Sequence, residues 1–256
     1  MGNCGSRECV DQPVPLMSAK RGVVDRYRDQ LFDLRPDSAV REVCLVCSVD
    51  RVVDGDTLVV EYAVSNPDMD ISVAVRELAY EVTRSLEGGR RRESPVRGGA
   101  ASPSAVAAKR LATYSQRKLF HLGYRVCRVD DGRATYQLRR VMCVRLRSMD
   151  APEKHDAFGA ESKQVLQALL PRGTSIQLWI TDFDVYGRVV ADVIRLHDRL
   201  HINRAMLISG WAWHYAAYDG RAEVAQLERL ARSARLGIWA HGDENTPPWQ
   251  SRRSPR

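Results

Sequence analysis

Five β-type segments constrain the fold more than any other feature of this sequence, because they fall into two groups separated by a long block of different character. The first two segments occupy residues 39–64, where Val and Leu recur at short spacing on both sides of a break at Asp54-Gly55. This pattern predicts a β-hairpin whose turn is the sequence DGD. Three further segments of β character lie at 133–150, 174–181 and 188–196.

The block between the two groups, at about residues 66–132, does not continue the β pattern. Its residues 73–86 and 105–126 have helical periodicity, and the stretch between them is rich in Gly, Ser, Pro and Arg. Such a long interruption is unusual in a compact domain. We therefore expect an insertion between two strands of one sheet, partly helical and partly disordered.

The rest of the chain supplies the helices that a barrel needs on its side. Helical patterns occur at 156–170, with Asp156 as the expected N-cap, and at 201–210 and 221–237. The order of elements predicts an α+β fold, a five-stranded, partly open barrel of the OB type with about three packed helices. We expect a flexible tether at 1–38, the domain at 39–242 and a flexible basic tail at 243–256.

Charge and cysteine content narrow the functional classes. A formal charge of +7 favours a polyanionic partner, either nucleic acid or an anionic membrane face, although a harmless excess of surface arginine explains it equally well. The six cysteines form no dense framework, and no secretory leader opens the sequence, so we expect a reducing, intracellular setting. Cys44 and Cys47 form a single CxxC in an apolar run, which favours strand cysteines over a zinc site.

The first six residues, MGNCGS, match the pattern for N-myristoylation at Gly2. One myristoyl chain binds membranes only marginally, so stable attachment needs a second signal. Cys4 is the candidate for that signal, as a site of S-palmitoylation. The sequence therefore predicts anchoring at the cytosolic face of a membrane, the plasma membrane being expected, and a disordered start that matches the pattern by chance is the alternative.

Four separated stretches, each ambiguous alone, carry a resemblance when taken together. They are VDGDT at 53–57, VRLRSMDAPEK at 144–154, DVYGR at 184–188 and GWAWHYAAYD at 210–219. In order, type and spacing they resemble the staphylococcal-nuclease-like family over about residues 43–239, apart from the inserted block. The likeness is closest to the membrane-attached, calcium-dependent nucleases of plants, which share the acylated MGN start, the insertion after the first hairpin and the run GWAWHYAAYDGRAE.

The resemblance implies a Ca²⁺ site built from oxygen ligands. Asp56 and Asp150 match the family's carboxylate ligands, and Ala151 matches a position that contributes its backbone carbonyl, where many members have threonine. A main-chain ligand is preserved by alanine, so only a role for the missing hydroxyl is in doubt. Carboxylate and carbonyl oxygens are the ligands that Ca²⁺ prefers. Asp54 matches a position near the metal that we interpret as supporting rather than ligating.

The resemblance also implies the catalytic side chains and the product. Glu153 matches the general base, or the residue that orients the attacking water, and Arg145 and Arg188 match two arginines that flank the scissile phosphate. Guanidinium groups bind phosphate oxygens bidentately and stay charged at any working pH. The expected products carry a 3′-phosphate and a free 5′-hydroxyl.

Aromatic residues near these motifs are candidates for contact with nucleic acid. Tyr186, Tyr215 and Tyr218 are expected to stack on bases or to bind phosphates, whereas we assign Trp211, Trp213 and Trp239 to the core. His155 and His214 have no partner at ligand spacing and are left out of the site.

The sequence thus predicts a Ca²⁺-dependent endonuclease that cleaves DNA and RNA with a preference for single strands. No protein partner can be inferred from it. A non-catalytic nucleic-acid-binding or scaffold module on the same barrel is the main alternative, and a lipid-surface interaction protein is another. Retention of the acidic residues and the two arginines argues against both.

Overall fold

The computed structural model describes residues 43–64, 72–90, 113–129, 135–240 and 247–251. The expected tether with Gly2 and Cys4 lies outside the described residues, as does the middle of the insertion. The strands are β1 (Val43–Val52), β2 (Thr57–Ala63), β3 (Tyr124–Arg128), β4 (Tyr136–Leu146), β5 (Met149–Asp150), β6 (Ser175–Phe183), β7 (Val189–Arg195) and β8 (Trp213–His214). The helices are α1 (Val73–Arg90), α2 (113–121), α3 (Gly159–Leu169), α4 (Ile202–Ile208), α5 (Ala222–Ser233) and α6 (Pro248–Ser251), with a 3₁₀ turn at Gly237–Trp239.

Five strands close into a barrel. Strand β2 pairs with both β1 and β4, and the pairings β1–β6, β6–β7 and β7–β4 complete the ring. Among the described strands, β4–β7 is the parallel pairing and the others are antiparallel. The predicted α+β class and the five-stranded OB-type barrel are confirmed. Closure leaves few strand edges that need covering.

The insertion contributes a sixth strand that the sequence pattern did not predict. Residues 124–126 were expected to be helical, but α2 ends just before Gly123, whose φ of 78° is a conformation that glycine adopts without strain. Strand β3 then pairs with the first half of β4. It buries Val126 against Val75, Val82 and Leu119 of the two insertion helices. This tertiary packing favours a strand here although the local periodicity is helical.

Three helices pack on the barrel and complete the main core. Every residue of α4 is buried, α3 buries Val165, Leu166 and Leu169, and α5 buries Val224 and Leu227. These side chains meet the inward-facing residues of the strands in one contiguous cluster. Within the described ranges, no helix combines the length and the apolar character that crossing a bilayer demands.

Two local predictions differ in their outcome. Cys44 and Cys47 both lie on β1, as predicted for strand cysteines, the former exposed and the latter buried. Asp156 was expected to cap α3, but the helix begins at Gly159 and Phe158 occupies the cap position. Asp156 instead accepts a hydrogen bond from the Glu153 backbone N–H at 3.1 Å, so it stabilises the preceding loop.

Candidate active site

The DGD turn between β1 and β2 places Asp56 at one end of the barrel. The Val53 N–H donates to the Thr57 carbonyl at 2.8 Å and closes the turn. Gly55 is required there for a close approach, since a Cβ would collide with Ser162 Oγ and crowd Ala151. The sequence predicted a tight turn at this glycine. The structure shows that glycine is needed because α3 and the residue after β5 pack closely against the turn. Asp56 itself is buried.

A second turn, at Arg147-Ser148, folds β4 back so that Asp150 faces Arg145. Ser148 adopts the left-handed conformation, with a φ of 69°. The Leu146 N–H donates to the Asp56 carbonyl at 2.8 Å, which ties the end of β4 to the DGD turn. Residues from two distant segments therefore meet at the same end of the barrel.

Arg145 connects the two predicted carboxylate ligands. Its Nη1 lies 3.3 Å from Asp56 Oδ2, and its Nη2 donates to Asp150 Oδ1 at 2.5 Å. The Ala151 N–H donates to Asp56 Oδ2 at 3.4 Å, so Ala151 also belongs to the cluster. Burial opposes the charge on Arg145, but the attraction of Asp56 and Asp150 raises its pKa above the ordinary value. The four residues form one electrostatic unit.

Arg188 reaches the same unit from the β6–β7 hairpin. Its Nη1 donates to Thr57 Oγ1 at 3.2 Å, and the Thr57 hydroxyl donates to Asp56 Oδ1 at 2.7 Å. Its Nε donates to Asp184 Oδ2 at 2.6 Å, which fixes the guanidinium from the other side. Thr57 and Asp184 are part of the quoted motifs, yet sequence reasoning assigned neither a role. The sequence signal that could have identified them is their position within the motifs VDGDT and DVYGR.

Glu153 occupies a different position from the other candidates. It lies in the loop between β5 and α3, two residues after Ala151, and it is exposed. Its backbone is held by Asp156, so the loop that carries it is ordered by local hydrogen bonds. The structure therefore brings Asp56, Asp150, Ala151, Arg145 and Arg188 together, whereas Glu153 is exposed in the loop that follows.

The oxygen atoms at this end of the barrel suit a hard cation. Asp56 and Asp150 are buried carboxylates, and the main chain at Ala151 adds a carbonyl. Burial and the neighbouring charge of Asp56 together raise the pKa of Asp54 to about 6. Within the described ranges, no three or more His, Cys, Asp or Glu side chains are grouped as metal ligands, so a cation here would also need water or backbone oxygens.

The three tyrosines differ in how much of each ring is available. Tyr186 and Tyr218 are 81% and 77% exposed, and the Tyr186 ring centroid lies 5.6 Å from the Arg188 guanidinium carbon. Tyr215 is stacked on Trp249 of α6, with the ring centroids 4.8 Å apart, so one of its faces is covered by the chain's own C-terminal helix. Trp213 and Trp239 are buried, and Trp211 packs against the core while remaining partly exposed, which fits their predicted structural role.

Behind the site, a network of polar residues anchors the Ser148 turn. The Ser148 hydroxyl donates to Asp219, and Arg221 Nη2 donates to the same carboxylate at 2.6 Å. The ring of His214 contacts the Asp219 carbonyl at 2.7 Å, a structural role consistent with its exclusion from the site. Sequence reasoning overlooked Asp219, although it ends the quoted run GWAWHYAAYD.

Comparison with known proteins agrees with this geometry. The model of the family described as "Staphylococcal nuclease homologue" matches residues 143–241, a range that includes Arg145, Asp150, Glu153 and Arg188 and begins after Asp56. A rice protein named "Probable staphylococcal-like nuclease CAN1" is 32% identical over 207 residues, which cover 80% of this chain and 55% of the rice protein.

Two further relatives extend the comparison to another plant and to bacteria. The Arabidopsis thaliana "Staphylococcal-like nuclease CAN1" is 35% identical over 113 residues, covering 44% of this chain and 34% of its own. An Escherichia coli protein named "Uncharacterized endonuclease" is 32% identical over 127 residues, covering 49% of this chain and 81% of its own. The chain spans about half or less of the length of these plant relatives and most of the bacterial one. The fold, the clustered site and these matches together show that the chain belongs to the staphylococcal nuclease homologue family.

Proposed function

We propose that this protein is a Ca²⁺-dependent endonuclease that hydrolyses phosphodiester bonds of DNA and RNA. The observation that carries the proposal is the meeting of Asp56, Asp150, Arg145 and Arg188 at one end of the barrel. These residues come from separate segments of the chain, yet hydrogen bonds and ion pairs join them into one group. Phosphodiester hydrolysis requires such a combination of oxygen ligands and fixed positive charge.

Each residue has a role that follows from its chemistry. Asp56, Asp150 and the Ala151 carbonyl are the groups that would hold Ca²⁺, which supplies positive charge for the phosphoryl oxygens. Arg145 and Arg188 bind those oxygens, and their charge persists at every working pH. Their guanidinium groups are already oriented by Asp56, Asp150 and Asp184, so little conformational entropy is lost when substrate binds.

Glu153 is the group that we assign to the attacking water. Its side chain is exposed, so water reaches it without a conformational change. As base or as orienting group it takes or holds the proton of that water. The resemblance assigns the products a 3′-phosphate and a 5′-hydroxyl. The exposed rings of Tyr186 and Tyr218 favour unpaired bases, which supports a preference for single strands.

The test is degradation of denatured DNA and of RNA by the purified chain, with Ca²⁺ and with a chelator. We expect cleavage that requires Ca²⁺ and that the Arg188→Gln variant loses, while an Arg229→Gln variant, on an exposed part of α5, retains it. Cleavage that continues in chelator would contradict the metal assignment. Binding without cleavage, in a folded protein supplied with Ca²⁺, would identify a non-catalytic nucleic-acid-binding module instead.

We further propose that Gly2 and Cys4 carry myristoyl and palmitoyl groups that hold the enzyme at the cytosolic face of the plasma membrane. The motif MGNCGS supports this, together with the need for two acyl signals in stable anchoring. Cell fractionation is the measurement. We expect Gly2→Ala to move the protein into the soluble fraction and Cys4→Ser to loosen it, and a Gly2→Ala protein that stays with membranes would show that another attachment dominates.

A further inference from the structure

The insertion carries a cavity that the proposed reaction does not use. Its volume is about 250 Å³, and it is lined by Gln116, Arg117, Phe120, His121 and Arg125, from helix α2 and strand β3. We call this surface the α2–β3 face. Phe120 is 45% exposed, so a large aromatic ring lies open to solvent beside cationic side chains.

The charge of this part of the insertion is uniformly positive. Residues 113–129 contain three arginines, Arg117, Arg125 and Arg128, together with Lys118, and they contain no Asp or Glu. Arg117, Lys118 and Arg128 are exposed. A face with this charge complements a polyanion.

Strand β4 connects the α2–β3 face to the candidate active site. Arg125 lies directly opposite Arg139 in the β3–β4 pairing, and Arg139 precedes Arg145 by six residues on β4. An even spacing puts both side chains on the same face of a strand, while Val144 and Leu146 point into the core. At a rise of about 3.3 Å per residue the separation along the strand is roughly 20 Å.

The acidic groups along this path are neutralised by neighbouring arginines. Glu61 is paired with Arg139 at 2.9 Å and with Arg125 at 3.4 Å. Asp50, which is buried, is paired with Arg51 at 2.8 Å, with Arg125 at 3.2 Å and with Arg172 at 3.1 Å. Four arginines therefore face two carboxylates, and the surface between the α2–β3 face and the site keeps a positive charge.

We propose that the α2–β3 face is a second binding site for single-stranded nucleic acid, which engages a substrate strand about 20 Å from the point of cleavage. Phe120 provides a stacking surface for a base, and Arg117 binds a backbone phosphate. At about 3.4 Å per stacked nucleotide, roughly six nucleotides span the distance, so only longer strands reach both sites. The proposal rests on the proposed function, because it assigns this strand to the substrate of the same enzyme.

The test compares binding of two oligonucleotides to the full chain in chelator, where no cleavage occurs. The variant carries Arg117→Ala and Phe120→Ala, and its dissociation constant is measured by fluorescence anisotropy with a single-stranded 20-mer and with a trinucleotide. We expect binding of the 20-mer to weaken about tenfold and binding of the trinucleotide to stay unchanged. The salt slope for the 20-mer should fall by about 0.7, as expected for one lost phosphate contact. The control Arg229→Ala should bind both like the wild type.

Kinetics separate failure of this proposal from failure of the proposed function. With Ca²⁺ we expect the double variant to raise KM for the 20-mer by the same factor, with kcat and the cleavage of the trinucleotide unchanged. A wild type that cleaves neither oligonucleotide would refute the nuclease, while the anisotropy measurement would still decide on the second site. Unchanged 20-mer binding would overturn the proposal. If the double variant lost binding to phosphatidylserine vesicles but bound the 20-mer like the wild type, the proposal would be overturned in favour of a membrane contact.

Discussion

Two clusters of charged residues adjoin the Arg147-Ser148 turn, and they differ in their balance of acidic and basic groups. On the site side, Arg145 pairs with both buried carboxylates, Asp56 and Asp150, and Arg188 pairs with Asp184. On the other side, Asp192 lies 3.5 Å from Arg147, 3.9 Å from Arg221 and 3.7 Å from His201. The first cluster has more acid than base, and the second is neutralised within itself.

The pKa directions follow this difference. Burial and the charge of Asp56 raise the pKa of Asp54 to about 6 beside the site. Burial would also raise the pKa of Asp219, but the hydrogen bonds from Arg221 and Ser148 outweigh it and hold that pKa well below its ordinary value. Both clusters contain buried carboxylates, so buried carboxylates alone do not mark a metal site. The shortage of positive partners distinguishes the cluster that suits a cation from the cluster that stabilises the fold.

The largest expected effect comes from Asp56→Asn, which sharpens the contrast between the clusters. We expect Ca²⁺-dependent cleavage to fall by about 10³-fold, since a metal ligand contributes several kcal/mol to transition-state stabilisation. The melting temperature should change little, because Arg145 keeps its hydrogen bond to Asp150. Initial rates and thermal unfolding without metal measure the two quantities. A large fall in the melting temperature of this variant would show instead that the site cluster stabilises the fold.

Glu153→Gln tests whether the exposed carboxylate acts on water and not on the metal. We expect turnover to fall at least about a hundredfold, the usual contribution of a general base. Ca²⁺ binding measured by calorimetry should stay close to that of the wild type, because Glu153 lies outside the buried cluster. Abolished Ca²⁺ binding would instead make Glu153 a ligand.

Asp219→Ala probes the neutralised cluster. Removing this carboxylate leaves Arg221 and Ser148 without their shared acceptor, so the free energy of unfolding should fall by about 3–5 kcal/mol. Urea denaturation measures the loss, and Asp182→Ala, at an exposed carboxylate on β6, is the matched control with a small effect. A loss no larger than that of the control would remove the distinction between the clusters.

The smallest effect is a pH dependence set by His201 in the neutralised cluster. Burial lowers the pKa of His201 to about 4, against the attraction of Asp192. Between pH 4 and about 6.5 the unfolded chain therefore binds the extra proton, and stability falls as the pH falls through this window and levels off below it. We expect a wild-type loss of about 3 kcal/mol that His201→Gln does not show. Equal pH profiles for the two proteins would place the titration elsewhere.

The sequence predicted the barrel because its strands follow a local rule. Apolar residues recur at short spacing in β1, β4, β6 and β7, and the Asp54-Gly55 break marks the turn of the first hairpin. The helical periods of α4 and α5 were visible for the same reason. Strand β3 was not predicted, because its choice between helix and strand depends on packing against α1, which lies far away in sequence.

For the candidate site, the sequence by itself determined which residue types are present, and the resemblance of four motifs gave their roles. It did not determine that Thr57 connects Asp56 to Arg188, or that Asp219 anchors the turn before Asp150. Those contacts join residues from segments that have no sequence relation to one another. Only the closed barrel decided them, because side-chain distances and the balance of buried charge depend on which elements folding brings together.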